Sequence, residues 1–223
     1  MSGLNENTKI VREAFLVWGV LILVFKILFL FQGISWIDEN TSLIMAVGLL
    51  YAPLALSFKK HERINFIDNS VSDLWASLIY FFVFSLVLFP FIFVGNHFYQ
   101  LILGHSFHWE NYTGWGKLIF AQLTLVALPE EFFFRGYMQN RLNSYFGKKW
   151  KWLGVKVGPA LLISSLVFAV SHSILTFQWW HIFIFFPALA FGWLFEKRGT
   201  ITAPVLFHLV CNLFSQWVGG HYY

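Results

Sequence analysis

The sequence predicts an all-α, polytopic transmembrane helical bundle of about seven spans, and three observations carry that reading. The 223-residue chain is 58% hydrophobic and 12% charged, with a mean hydropathy of +0.64, whereas about a quarter of a soluble domain is charged. Apolar stretches follow one another almost end to end, several near the roughly 20 residues that carry a helix across a bilayer. Lysine and arginine then fall in alternate connecting segments, the pattern that orients membrane helices.

The elements follow in order. Residues 1–13 are polar and of mixed charge, and no small-residue cleavage site follows them, so the stretch 14–31 reads as a retained first helix and not a secretory leader. Further spans are expected at 41–58, 74–94, 115–138, 159–177, 179–195 and 200–218. Lys9 and Arg12 precede the first span; Lys59, Lys60 and Arg63 follow the second. Arg141, Lys148, Lys149, Lys151 and Lys156 follow the fourth, and Lys197 and Arg198 the sixth. The segments 32–40 and 95–114, the turn at Gln178 and the tail from Gly219 are nearly free of both residues. This alternation puts the N-terminus in the cytoplasm and the C-terminus outside. Trp36, Trp109, Trp115, Trp150, Trp152, Trp179, Trp180 and Trp217 fall near span ends, where amphipathic rings meet the interface. With no internal repeat or low-complexity tract, residues 1–223 read as one membrane domain.

The net charge of +4 is no nucleic-acid signal, because the cations sit in short loops and not on one basic face. The single cysteine, Cys211, excludes an internal disulfide and reads as a small packing residue. His97, His105 and His108 share the longest external loop; solvated side chains are the bland reading and a metal site the sharp one. The 28 phenylalanines read as lipid-facing bulk. Lys26, alone in the first span, reads as a snorkelling side chain or a mark of a different span boundary.

Glu130, Glu131, Arg135, His172 and His208 fall inside the last four spans, with Asn212 as a neutral polar companion. A charge at mid-bilayer costs about 2.5–3.5 kcal/mol on insertion scales, so such residues face a bundle interior or a wet cavity. Glu131 and Arg135 are four apart and share a helix face. Glu130 is turned about 100° from Glu131, so the two carboxylates meet different surroundings. Pro129 removes a backbone hydrogen bond just before them. Phe168 and His172, and likewise His208 and Asn212, are each four apart on one face. A histidine, an amide and a free carboxylate in one cavity can activate water and stabilise an oxyanion. A structural Glu131–Arg135 pair, histidines that serve helix packing, and a proton-relay Glu130 in a carrier are the bland alternatives.

The motifs Glu130-Glu131-Phe132-Phe133-Phe134-Arg135 (EExxxR), Phe168-Ala169-Val170-Ser171-His172 (FxxxH) and His208-Leu209-Val210-Cys211-Asn212 (HxxxN) lie on successive motif-bearing helices. In this order they resemble the CAAX-protease and bacteriocin-processing (CPBP) family of intramembrane peptidases, and they define a motif-bearing core at about 115–218. The resemblance implies a glutamate-type endopeptidase that cuts near the terminus of a membrane-anchored protein or peptide: a C-terminal sorting tail, a prenylated tail or a leader peptide. It implies Glu130 as general base, His172 as the residue that positions water, and His208 with Asn212 as the oxyanion hole. Glu131, Arg135 and Phe168 take supporting roles. No HExxH motif is present; a metal-free site is expected, with a zinc site on Glu130, His172 and His208 as the open alternative. The short chain points to the inner membrane of a bacterium, with the lipid bilayer and a peptide substrate as partners and no nucleic acid. A small proton-coupled carrier and a non-catalytic bacteriocin-immunity protein are the other function classes. Shared chemistry sets one structural demand. The expected spans put Glu130 in the inner half of its helix and His172 in the outer half of the next. They meet if the helices slide by about one turn, or if the fourth span runs on to Arg141.

Overall fold

A computed structural model of the chain describes residues 2–59, 67–111 and 113–223. It is an all-α bundle. Three long helices come first: α1 (Ser2–Leu30), α2 (Ser35–Lys59) and α3 (Val71–Ile102). A helical rod follows, made of α4 (Trp115–Ala121), a π-helical stretch (Gln122–Ala127), α5 (Leu128–Glu131), a second π-helical stretch (Phe132–Gln139) and α6 (Asn140–Phe146). After a short hairpin come α7 (Pro159–Thr176), a 3-10 turn (Trp179–Ile184), α8 (Phe185–Arg198) and α9 (Thr202–His221).

Among the described residues, five helices are long and apolar enough to cross a membrane: Thr8–Leu30, Ser35–Phe58, Val71–Ile102, Pro159–Thr176 and Trp179–Arg198. The spans expected at 115–138 and 200–218 are helical too, but they are the two that carry Glu130, Glu131, Arg135, His208 and Asn212, and the first is divided into short α and π pieces. Lys60 and Arg63, expected in the loop after the second span, lie outside the described residues.

The π-helical stretches have a cause in the sequence. Pro129 has no N–H to give to Leu125, so an α-helical ladder fails there. The chain takes the wider turn instead, and Leu128 N–H bonds the Leu123 carbonyl five residues back. Below the site, Asn140 N–H likewise reaches the Arg135 carbonyl. The second stretch is buried throughout, from Phe132 to Gln139. The bundle packs around it, with Phe133, Tyr137, Met138, Phe168, Phe191, Leu194 and Phe207 in the core.

The basic segment after α6 forms an antiparallel hairpin, β1 (Trp150–Trp152) with β2 (Val155–Val157), which the sequence reading left as a loop. Its two turn residues, Leu153 and Gly154, have φ of 47° and 81°, the left-handed pair that a two-residue hairpin turn requires. Val155 and Val157 bury into the core, and Trp193 Nε1 donates to the Trp152 carbonyl at 3.1 Å. Beneath it, Glu196 accepts from Gln139 Nε2 at 2.7 Å and pairs with Lys148 at 2.6 Å, tying the rod and hairpin to α8.

At the other end the loop 103–114 is tied to the chain's last residues. His97 bonds the Tyr222 hydroxyl at 2.9 Å, His105 bonds Gln100 at 2.7 Å, and the His108 ring stacks on Tyr223 with centroids 4.3 Å apart. The three histidines therefore have separate partners and do not converge. Tyr223 donates to Glu110 at 2.9 Å, and that hydrogen bond holds its hydroxyl proton to a higher pH than an ordinary tyrosine.

Candidate active site

The rod, α7 and α9 bring their ionisable side chains to one place. Glu130 Oε2 lies 3.9 Å from His172 Nε2 and 3.8 Å from His208 Nε2. The depth conflict between the expected spans is resolved because the rod continues to Phe146, which leaves Glu130 near its middle.

Behind this trio is a dry layer. Glu131 and Arg135 are fully buried and paired at 3.1 Å. The same Glu131 oxygen, Oε1, lies 2.9 Å from His208 Nδ1. Arg135 reaches on to the Ala188 carbonyl at 2.9 Å, and its guanidinium lies over the rings of Phe168 and Phe191 at 4.6 and 5.3 Å. Phe168 also touches both histidines, with ring centroids 4.6 Å from His172 and 5.8 Å from His208. His208 stacks flat on Phe191, at 4.6 Å and 12°.

These contacts fix the tautomers. His172 Nδ1 lies 2.9 Å from the Phe168 carbonyl, which can only accept, so Nδ1 carries the proton. His208 Nδ1 faces the Glu131 carboxylate and donates in the same way. In neutral rings, both Nε2 atoms then present lone pairs toward Glu130. Glu130 Oε2 is itself buried and without a hydrogen-bond partner among the described residues. Three acceptors therefore converge with no proton among them, an arrangement that calls for a donor such as water.

The zinc alternative was a test of the same three side chains. Their chemistry suits the ion, since each histidine is oriented through Nδ1 as metal ligands are. Their placement does not: among the described residues, no group of three or more His, Cys, Asp and Glu is arranged to hold a metal ion.

Asn212, one turn beyond His208 on α9, donates to Gln122 Oε1 at 2.9 Å. Gln122 and Phe191 are site neighbours that the sequence reading missed. Gln122 was visible as an amide in an apolar span; Phe191 had no signal among 28 phenylalanines. A third is Ser171, beside His172. It accepts from Trp18 Nε1 at 2.8 Å and donates to the Val167 carbonyl at 2.7 Å, pinning α7 to α1. Beside Glu130 and His172, a cavity of about 180 Å³ opens between α1, α2 and α7, walled by Ile22, Phe25, Phe29, Met45 and Leu49. The first two helices carry no motif, yet they form one wall of the site.

Residues 113–214 match the family model described as type II CAAX prenyl endopeptidase Rce1-like, a segment that contains every motif residue. No curated protein and no solved structure matches the chain.

Proposed function

We propose, from the premise that residues 113–214 belong to the Rce1-like family of CAAX prenyl endopeptidases, that this integral membrane protein is a glutamate-type intramembrane endopeptidase acting near the terminus of a membrane-anchored protein or peptide. The observation that carries the reading is the convergence of Glu130 Oε2, unpartnered and buried, with two imidazole Nε2 atoms at 3.8 and 3.9 Å.

A water held there would give one hydrogen to Glu130 and the other to His172. Glu130 takes the proton as the water oxygen bonds to the scissile carbonyl carbon, and the carbonyl π electrons move to oxygen. Glu130 then returns the proton to the amide nitrogen as the C–N bond breaks and the carbonyl re-forms, giving a new C-terminus and a new amine. General-base work of this kind contributes about 10²–10⁴-fold. One water supplies two donors for three acceptors, so the third, His208 Nε2, needs a proton of its own. Protonated, it would donate to the developing oxyanion together with Asn212, its charge balanced by the flanking Glu130 and Glu131 carboxylates. Glu131, Arg135 and Phe168 hold the geometry, and no step is routed through a metal. We extend the reading to a bacterial cytoplasmic membrane, with the bilayer and an apolar peptide tail as partners.

The test compares protein termini by mass spectrometry in host cells carrying wild type or Glu130→Ala. A defined set of termini longer in the mutant supports the peptidase and names its scissile bonds. Unchanged termini beside a persisting phenotype overturn it.

A further inference from the structure

Lys26 is the ionisable residue of the first span that the catalytic reading leaves unused. Its ammonium donates to the Leu175 carbonyl at 2.9 Å and lies 3.2 Å from the centroid of the Phe177 ring. Leu175 is in the last turn of α7, where carbonyls lack intrahelical donors, so part of the contact is a helix cap. A carbonyl and an aromatic face do not neutralise the cation, however. No carboxylate is within ion-pair distance of Lys26 among the described residues, although it lies in a membrane-spanning helix.

Its place gives the missing partner a direction. Ile22 and Phe29, four before and three after Lys26, share its helix face and wall the cavity that reaches Glu130 and His172. Leu175, whose carbonyl Lys26 holds, lines the same cavity and follows His172 by three residues, about one turn. The cavity therefore has a carboxylate-and-imidazole end for chemistry, an apolar wall, and an uncompensated cation about a turn away.

Resting on the peptidase reading above, we infer that Lys26 is a specificity residue that receives the terminal carboxylate of the substrate's apolar tail while the tail's side chains lie along Phe25, Met45 and Leu49. A phospholipid headgroup offers the same charge, but seated in this cavity it would bring its phosphate toward the Glu130 carboxylate. A peptide brings its charge only at its end and presents apolar side chains to the apolar wall.

The test uses the full chain in phosphatidylcholine nanodiscs, carrying Glu130→Gln so that binding is read without turnover. The probes are two fluorescent, prenylated CAAX-type peptides that differ only in ending as a carboxylate or a carboxamide. The carboxamide is expected to bind about ten-fold more weakly, the worth of one hydrogen bond to a charged group. Lys26→Met should erase that difference and Lys26→Arg should keep it. Equal affinity for both peptides, a difference that survives Lys26→Met, or binding of neither peptide overturns the inference. So does a Lys26-dependent retention of added phosphatidylglycerol without any carboxylate preference, which would assign the cation to lipid. The peptidase reading is judged apart, by whether the chain with Glu130 intact cleaves the carboxylate peptide.

Discussion

Asn212 on α9 donates a hydrogen bond to Gln122 Oε1 across 2.9 Å, joining the helix of the third motif to the π-helical stretch that precedes the first. If Asn212 steadies an oxyanion, the orientation of its amide depends on Gln122. Gln122→Leu is expected to lower kcat about five-fold with little change in KM, from the loss of one ordinary hydrogen bond of about 1 kcal/mol. A fall in KM alone, or no kinetic effect, would remove Gln122 from the positioning role.

Glu130→Gln should abolish turnover without harming the fold. The Oε2 atom has no hydrogen-bond partner to lose among the described residues, and the charge it removes is half-buried. The expected result is a loss of about 10²–10⁴-fold in kcat, with a melting temperature in detergent equal to or above that of wild type. Residual activity near wild type would move the base elsewhere.

Glu131 and Arg135 behave differently, because each is fully buried and leaves an uncompensated charge when the other goes. Either Glu131→Gln or Arg135→Met alone should cost about 3–5 kcal/mol, read as a lower melting temperature. The double variant should recover much of that stability. It should stay inactive, since His208 Nδ1 loses the charged acceptor it has at 2.9 Å. A double variant that regains activity would show that the carboxylate only serves the fold.

Metal removal is expected to leave the enzyme working. After prolonged exposure to a zinc chelator, both peptide cleavage and the elemental zinc content should separate: activity stays while zinc per chain falls well below one. Loss of cleavage that zinc restores would replace the water site on Glu130, His172 and His208 with a metal site.

Gly192 supplies a packing prediction away from the chemistry. A Cβ there would meet Leu161 Cδ1 at 2.5 Å and Gln139 Oε1 at 2.7 Å. Gly192→Ala should therefore cost about 1–3 kcal/mol through overpacking, and it should loosen the Gln139–Glu196 link that ties the rod to α8. An unchanged melting temperature would show that α7 and α8 can separate freely.

The parts of the site that were legible in sequence are those that a helix's own spacing encodes. Glu131 with Arg135, Phe168 with His172 and His208 with Asn212 each lie four residues apart, and each pair does share a face. That Glu130 meets both histidines needed only the membrane's cost for unpartnered charge, plus a rod long enough to bring Glu130 to the right depth. What the sequence could not encode locally are the partners chosen by tertiary packing. Phe191 under His208, Trp18 on Ser171 and the Ala188 carbonyl on Arg135 are brought in from other helices, at separations no periodicity reports. The hairpin at 150–157 was hidden for another reason: its turn needs a left-handed Leu153, a conformation that residue rarely signals.

The two π-helical stretches on either side of Glu130 and Glu131 make the site sensitive to counting and not only to chemistry. Each wide turn holds one residue more than an α-helical turn would. Removing a single residue from 122–127 would let that segment relax to an ordinary helix and swing everything upstream by about 100° relative to Glu130. Gln122 would then face away from Asn212, although every side chain named in the mechanism would still be present. In a library of variants of this chain, single-residue deletions here should be as damaging as replacing Glu130 itself, while deletions of the same size in the 103–114 loop should not.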